Sequence, residues 1–284
     1  MVYSVPSEIV TIYNNALDYS NKGDINNAIS EYIKAINAYP EFIEAYNNIG
    51  EIYSRQGESD KAISVYEKAL KIDRNYKVLL NLGVEYYNAQ KLNIALNFFT
   101  ESISIKPDFL EGNYYSGLAF FNLKEISPAE KYFSKVIDLN RNHLNANYLL
   151  SYIYYDWKDY TKTLRCLDNI KHIADDKVFL NKYYGFCYYH LGSFEKAVDF
   201  LTMAVESSPK YIVFKDYLQK LTYQDKIKEI GDIDAEIKSM EENMVKTKPT
   251  IRDCTYLSTL YIYKGDNRKA EEILLAFKEK EGIS

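Results

Sequence analysis

Small and aromatic residues alternate along this chain at fixed intervals, and the intervals define helices before any single residue does. Glycine followed by Asp, Glu or Ser occurs at Gly23-Asp24, Gly57-Glu58, Gly192-Ser193 and Gly265-Asp266. Each pair follows a Tyr-bearing segment, and five residues beyond each glycine stands an alanine: Ala28, Ala62, Ala197 and Ala270. Gly23 to Gly57 is 34 residues (57 − 23), and Gly57 to Gly192 is 135 (192 − 57), one short of four such periods. Self-similarity at a period of about 20–50 residues marks a repeat architecture. The common register gives units near 9–42, 43–75, 76–109, 110–143, 144–177, 178–211, 212–250 and 251–281.

Within each unit the same logic appears twice. The first segment carries a small residue at Ala16, Gly50, Gly83, Gly117, Ser151 and Gly185, with an aromatic three residues later at Tyr19, Tyr53, Tyr86, Phe120, Tyr154 and Tyr188. The second carries Ala28, Ala62, Ala95 and Ala129, then Tyr32, Tyr66, Phe99 and Phe133 four residues on. A small residue facing a large one lets two antiparallel helices interdigitate at interior density. Pro40, Pro107 and Pro209 stop the second helices, since proline cannot continue one. The pattern therefore predicts helical hairpins throughout and no strand.

These phased positions resemble the tetratricopeptide repeat family, whose unit is a helix–turn–helix of 34 residues, over roughly residues 9 to 280. The resemblance implies an all-α, right-handed α-solenoid of about eight repeats forming a single array, with the first helices lining a concave groove. The seventh unit departs from the pattern: it runs from 212 to 250, with Gln219 and Thr222 in the small and aromatic slots. Its apolar residues Ile230, Ile233, Ile237, Met240 and Met244 fall 3, 4, 3 and 4 apart. Such a seam serves either a long helix packed on its neighbours or self-association. In the last unit Glu271, Lys278 and Lys280 replace the apolar residues that face a following repeat, which suits a terminal cap.

Composition narrows the chemistry. Net charge is −5 with both signs interspersed, which gives counterion release little to drive and argues against nucleic acid. No apolar run is long enough to span a membrane, and the opening MVYSVPSEIV lacks the layout of a secretory signal, so the expectation is a cytoplasmic protein. Cys166, Cys187 and Cys254 show no CxxC spacing. Cys187 and His190 are three apart and would need a further ligand, for which Cys166 is the candidate; the favoured role of Cys187 is packing. With no P-loop, zincin or nucleophile-elbow motif, neither an enzyme nor a cofactor is expected.

The 29 tyrosines are the unusual component. The position two before the small slot, which the resemblance places in the groove, reads Asn14, Asn48, Asn81, Tyr115, Leu149, Tyr183, Tyr217 and Tyr256. The first three resemble an asparagine ladder that holds a peptide main chain, because an amide offers donor and acceptor together. Tyr115, Tyr183 and Tyr217 would add rigid aromatic contact, and Lys182 and Arg252 positive charge opposite to the Glu44 and Glu51 of the second unit. The co-chaperone clamp for a terminal carboxylate is matched only at Asn48 and Lys77; Tyr13, Leu17 and Asn81 occupy its other places. The expected function is a non-enzymatic scaffold or adaptor for a protein or peptide ligand held as an extended segment. A monomer is expected rather than a homodimer, and the alternative is a structural assembly factor that self-associates through the long helix of the seventh repeat.

Overall fold

The computed structural model describes residues 5–207 and 230–280, and among them every regular element is a helix. In chain order these are α1 (Ser7–Asn21), α2 (Ile25–Ala38), α3 (Ile43–Arg55), α4 (Ser59–Ile72), α5 (Tyr76–Asn88), α6 (Leu92–Ile105), α7 (Leu110–Asn122) and α8 (Ile126–Leu139). They continue with α9 (Leu144–Asp156), α10 (Tyr160–Ile170), α11 (Lys177–His190), α12 (Phe194–Ser207), α13 (Ile233–Lys246), α14 (Ile251–Tyr263) and α15 (Asn267–Lys280). The chain divides into two compact units, residues 1–146 and 147–284. Each is a stack of helical hairpins, the architecture of an α-solenoid.

In the first unit each hairpin closes on a contact between a small residue and a ring. A Cβ added to Gly50 would stand 2.2 Å from the Tyr66 ring, one on Gly83 2.5 Å from Phe99, and one on Gly117 2.6 Å from Phe133. Tyr32, Tyr66, Phe99 and Phe133 are consequently buried, beside the equally buried alanines at 28, 62, 95 and 129. A second contact recurs on the other side of the hairpin. Tyr86 stacks on Phe98 with centroids 5.6 Å apart, and one period later Phe120 stacks on Tyr132 at 5.5 Å. Adjacent hairpins share a buried carboxylate: Glu85 of α5 accepts from the Ser59 hydroxyl of α4 at 2.6 Å.

The turn inside each hairpin has one geometry and two chemistries. Gly23, Gly57, Gly192 and Gly265 lie at φ of 74° to 87°, and the corresponding Gln90, Lys124 and Lys158 adopt φ of 60° to 66°. At both kinds of turn the left-handed residue donates three residues back and its successor donates five back, as in Lys124 to Phe121 and Glu125 to Phe120. This Schellman arrangement satisfies the last carbonyls of the first helix. The second helix then starts on Asp24 or Asp159, whose carboxylates accept from Asn27 N and Lys162 N.

The second unit keeps the logic with altered residues. A Cβ on Gly185 would meet Leu201 at 2.5 Å, so an aliphatic side chain takes the ring's place, and Tyr188 stacks on Phe200 at 5.6 Å. Val198 and Leu201 of α12 form one core with Ile251 and Cys254 of α14 and Leu274 of α15. The apolar seam around α13 is used within the unit: Ile237 is buried with Leu257, Leu260, Tyr261 and Ala270, and Ile230, Ile233, Met240 and Met244 pack against them. Among the large apolar side chains of α13, Val245 is left open, 88% exposed. The slots at Gln219 and Thr222 lie outside the described residues.

Two stability changes follow. Ala62→Leu, at a fully buried position, should destabilise by about 1–3 kcal/mol through overpacking, read as a lowered thermal midpoint. Lys124→Gly should stabilise by about 0.5–1 kcal/mol, because the left-handed strain it relieves exceeds the extra entropy of glycine in the unfolded chain. Chemical denaturation of the two variants reads both signs.

Candidate functional site

The first helices of the first three hairpins meet at a cavity of about 250 Å³. Tyr13 enters it from α1; Ile43, Glu44, Asn47 and Asn48 from α3; and Asn75, Tyr76, Lys77 and Val78 from the start of α5. The residues reach one place because successive first helices stack side by side, so slots 34 or so positions apart become neighbours.

Hydrogen bonds between repeats fix these side chains. Asn48 Nδ2 donates to the Tyr13 hydroxyl at 3.0 Å and to the Tyr32 hydroxyl at 3.1 Å, which joins α3 to both helices of the first hairpin. Asn81 Nδ2 donates to Asn47 Oδ1 at 2.9 Å and to Glu51 Oε1 at 3.1 Å, while Asn47 Nδ2 donates to the same Glu51 oxygen at 2.7 Å. A carboxylate oxygen only accepts, so Glu51 holds both amides the same way round. This alters the ladder expected at Asn14, Asn48 and Asn81. The N–H groups of Asn48 and Asn81 are engaged inside the protein, and what these amides keep for a ligand is carbonyl oxygen. Asn14 is exposed on α1 and does not line the cavity.

The hydroxyls at this junction resist ionisation. Burial raises Tyr13 above its usual 10.0; the Asn48 hydrogen bond opposes that, and the Glu44 and Glu51 carboxylates add to it. Tyr32 is raised for the same leading reason, with Asn48 opposing and Tyr13 and Glu51 adding.

The other expected groove residues divide. Tyr115 is half-buried; its ring lies 6.2 Å from Tyr87 and 5.5 Å from Phe99, against the core of Leu80, Ala95 and Ala119. In the second unit Tyr183 departs from the open contact surface expected of it. It is 6% exposed, because Phe179 at 4.5 Å and Tyr155 at 5.1 Å close over the ring, and burial pushes its hydroxyl well up. Its neighbour Tyr152, at 57% exposed, is the open ring of that cluster. Lys182 lies 5.1 Å from the Tyr183 ring centroid, and Arg252 pairs with Asp199 at 3.3 Å. Tyr217 lies outside the described residues. Cys187 is buried, and burial pushes its thiol up to about 12, whereas His190 stacks on Tyr160 at 4.5 Å; the two do not share a site.

Repeated hairpins of one length, closed by one small-to-large contact and one turn, are the defining content of a family. The chain carries tetratricopeptide repeats. Models of the tetratricopeptide repeat match residues 43–76, 76–109 and 111–143, and a further TPR repeat model matches 16–57. A curated relative, a BBSome complex member BBS4 homolog of Drosophila melanogaster, is 30% identical over 99 residues, 34% of this chain. The chain spans 20% of that relative's length. Among solved structures, Pseudomonas aeruginosa pilF superposes with a TM-score of 0.60 at 19% identity, over 75% of this chain and 97% of that one. A tetratricopeptide repeat protein of Parabacteroides merdae gives 0.52 at 19% identity, over 78% and 96%. Both show the fold. Among the described residues, no helix of this TPR protein is long and apolar enough to cross a membrane.

The raised tyrosines set a pH dependence. Below pH 10 these groups are neutral in both folded and unfolded chains, and their full contribution is present. As pH rises past 10.0 the unfolded chain ionises first, so stability falls until the raised folded values are passed. Urea midpoints between pH 8 and 12 should fall above pH 10, and fall less steeply in Tyr13→Phe.

Proposed function

We propose that this TPR protein is a non-enzymatic scaffold whose first unit holds an extended peptide or protein segment along α1, α3 and α5. The observation that carries this reading is the cavity those three helices share, where side chains from three consecutive repeats converge on one opening. A ligand laid across successive first helices meets the same kind of slot once per repeat, which suits a chain with a regular main-chain spacing. Asn48 and Asn81 would accept from main-chain N–H groups, with Asn14 as the outlying member of the row. Tyr115 borders the row, and on the second unit Lys182 and Arg252 are further candidates for contact.

The relative described as a complex member fits a role in holding partners together. Self-association through α13 is the weaker reading, because the apolar seam of that helix is packed against α14 and α15. We therefore take the scaffold as a cytoplasmic monomer that uses no cofactor, nucleic acid or membrane.

The test is a random nonapeptide library displayed on phage and selected against the full chain. Hydrogen exchange with an enriched synthetic peptide should show new protection on α1, α3 and the start of α5. Protection confined to the second helices, or no enriched peptide, would remove this function. Asn81→Ala should weaken an enriched peptide by about 0.5–1.5 kcal/mol, by fluorescence anisotropy, with a thermal melt as folding control.

A further inference from the structure

We propose that the cavity between α1, α3 and α5 is a pocket for a cationic side chain, lysine or arginine, carried by the ligand peptide. This rests on the peptide-holding function above and names the residue class that anchors it.

The hydrogen bonds around Asn47 and Asn48 draw amide donors away from the cavity. Both engaged N–H groups of Asn48 point at tyrosine hydroxyls, which leaves Oδ1 as the atom with acceptor capacity. Asn47 gives an N–H to Glu51, which also takes one from Asn81, so the amide donors beside the cavity are drawn to one carboxylate. Glu44 adds an exposed carboxylate on the lining itself. Beside the Lys77 ammonium, a ligand group entering here meets the Asn48 amide oxygen and the Glu44 carboxylate. An ammonium or guanidinium has donors and no acceptor, and its hydrogen bonds to carboxylate are charge-assisted.

Size and apolar content agree. About 250 Å³ lies below the roughly 300–1,000 Å³ of cavities that engulf whole drug-sized ligands, and suits one long side chain. Ile43 and the Tyr13 ring offer apolar surface for a methylene stem, and the ring offers a face to a cation. Lys77 is the cation on the lining, and it opposes this assignment. It is exposed to solvent, as Glu44 is, but two carboxylates, Glu44 and Glu51, act on the Tyr13 hydroxyl that faces it.

The nonapeptides selected on phage supply the probe, remade as fluorescein-labelled synthetic peptides and titrated against the full chain by anisotropy. Lys or Arg should be enriched at one position, and its replacement by Glu should weaken binding at least tenfold. Glu44→Lys should weaken the parent peptide to a similar degree and restore the Glu-substituted one, and Glu44→Gln should fall between. Since Glu44 is exposed in the first turn of α3, where the helix dipole favours a carboxylate, both variants should keep a cooperative melt, Glu44→Gln close to the native midpoint and Glu44→Lys slightly below it. Peptides that protect α1, α3 and α5 without needing a cation, or that favour Asp or Glu, overturn the cation pocket and leave the peptide groove standing. Peptides that bind elsewhere overturn both.

Discussion

The fold depends on the contact between a residue with almost no side chain and a buried ring. Gly50 against Tyr66, Gly83 against Phe99 and Gly117 against Phe133 let two helices approach until no Cβ fits between them. Interiors tolerate neither voids nor overlap, so each such contact fixes the depth and register of its hairpin at once. Everything else inherits that register. The stacked pairs Tyr86–Phe98 and Phe120–Tyr132 sit where it puts them, and so do the Schellman turns that lead into the second helices. Where Leu201 substitutes for the ring, the hairpin persists, which shows that volume rather than aromaticity is required.

The tyrosines serve several purposes that burial separates. Tyr32 and Tyr66 fill hairpin cores, Tyr13 and Tyr32 accept the Asn48 amide, and Tyr152 stays open. A hydroxyl allows one residue type to do all three, since its apolar ring packs and its polar tip finds a partner or water. This is how a chain with so many aromatics keeps them from being one undifferentiated sticky surface.

Much of the fold was legible because small and large residues recur in phase, and that recurrence survives without contacts being known. The left-handed turns at Gln90, Lys124 and Lys158 were hidden, since only glycine announces such a conformation in sequence. The candidate site was legible in its positions and not in its chemistry. Asn48 and Asn81 stand in the row the register assigns, but Glu51 takes N–H groups from α3 and α5 together, a choice made across 30 residues of sequence. The Asn47–Glu51 spacing of four was the visible clue, since such pairs meet on one helix face. Tyr183 was misjudged because its burial depends on Phe179 and Tyr155, neighbours that the slot rule does not consider. The seam of α13 had two destinations in sequence, and only packing against Leu257 and Leu260 distinguishes them.

Apart from Asn75, which caps α5, the borders of the cavity are the starts and middles of three helices held by Asn48–Tyr13 and Asn81–Glu51 bonds. Its width is thus the pitch of the stack. A guest wedged there would act as a strut between consecutive repeats, and any force that opens the stack would also open the site. Recognition of such a guest and mechanical stiffness would in this sense be one property of the first unit, and a strained array would release what a relaxed one retains.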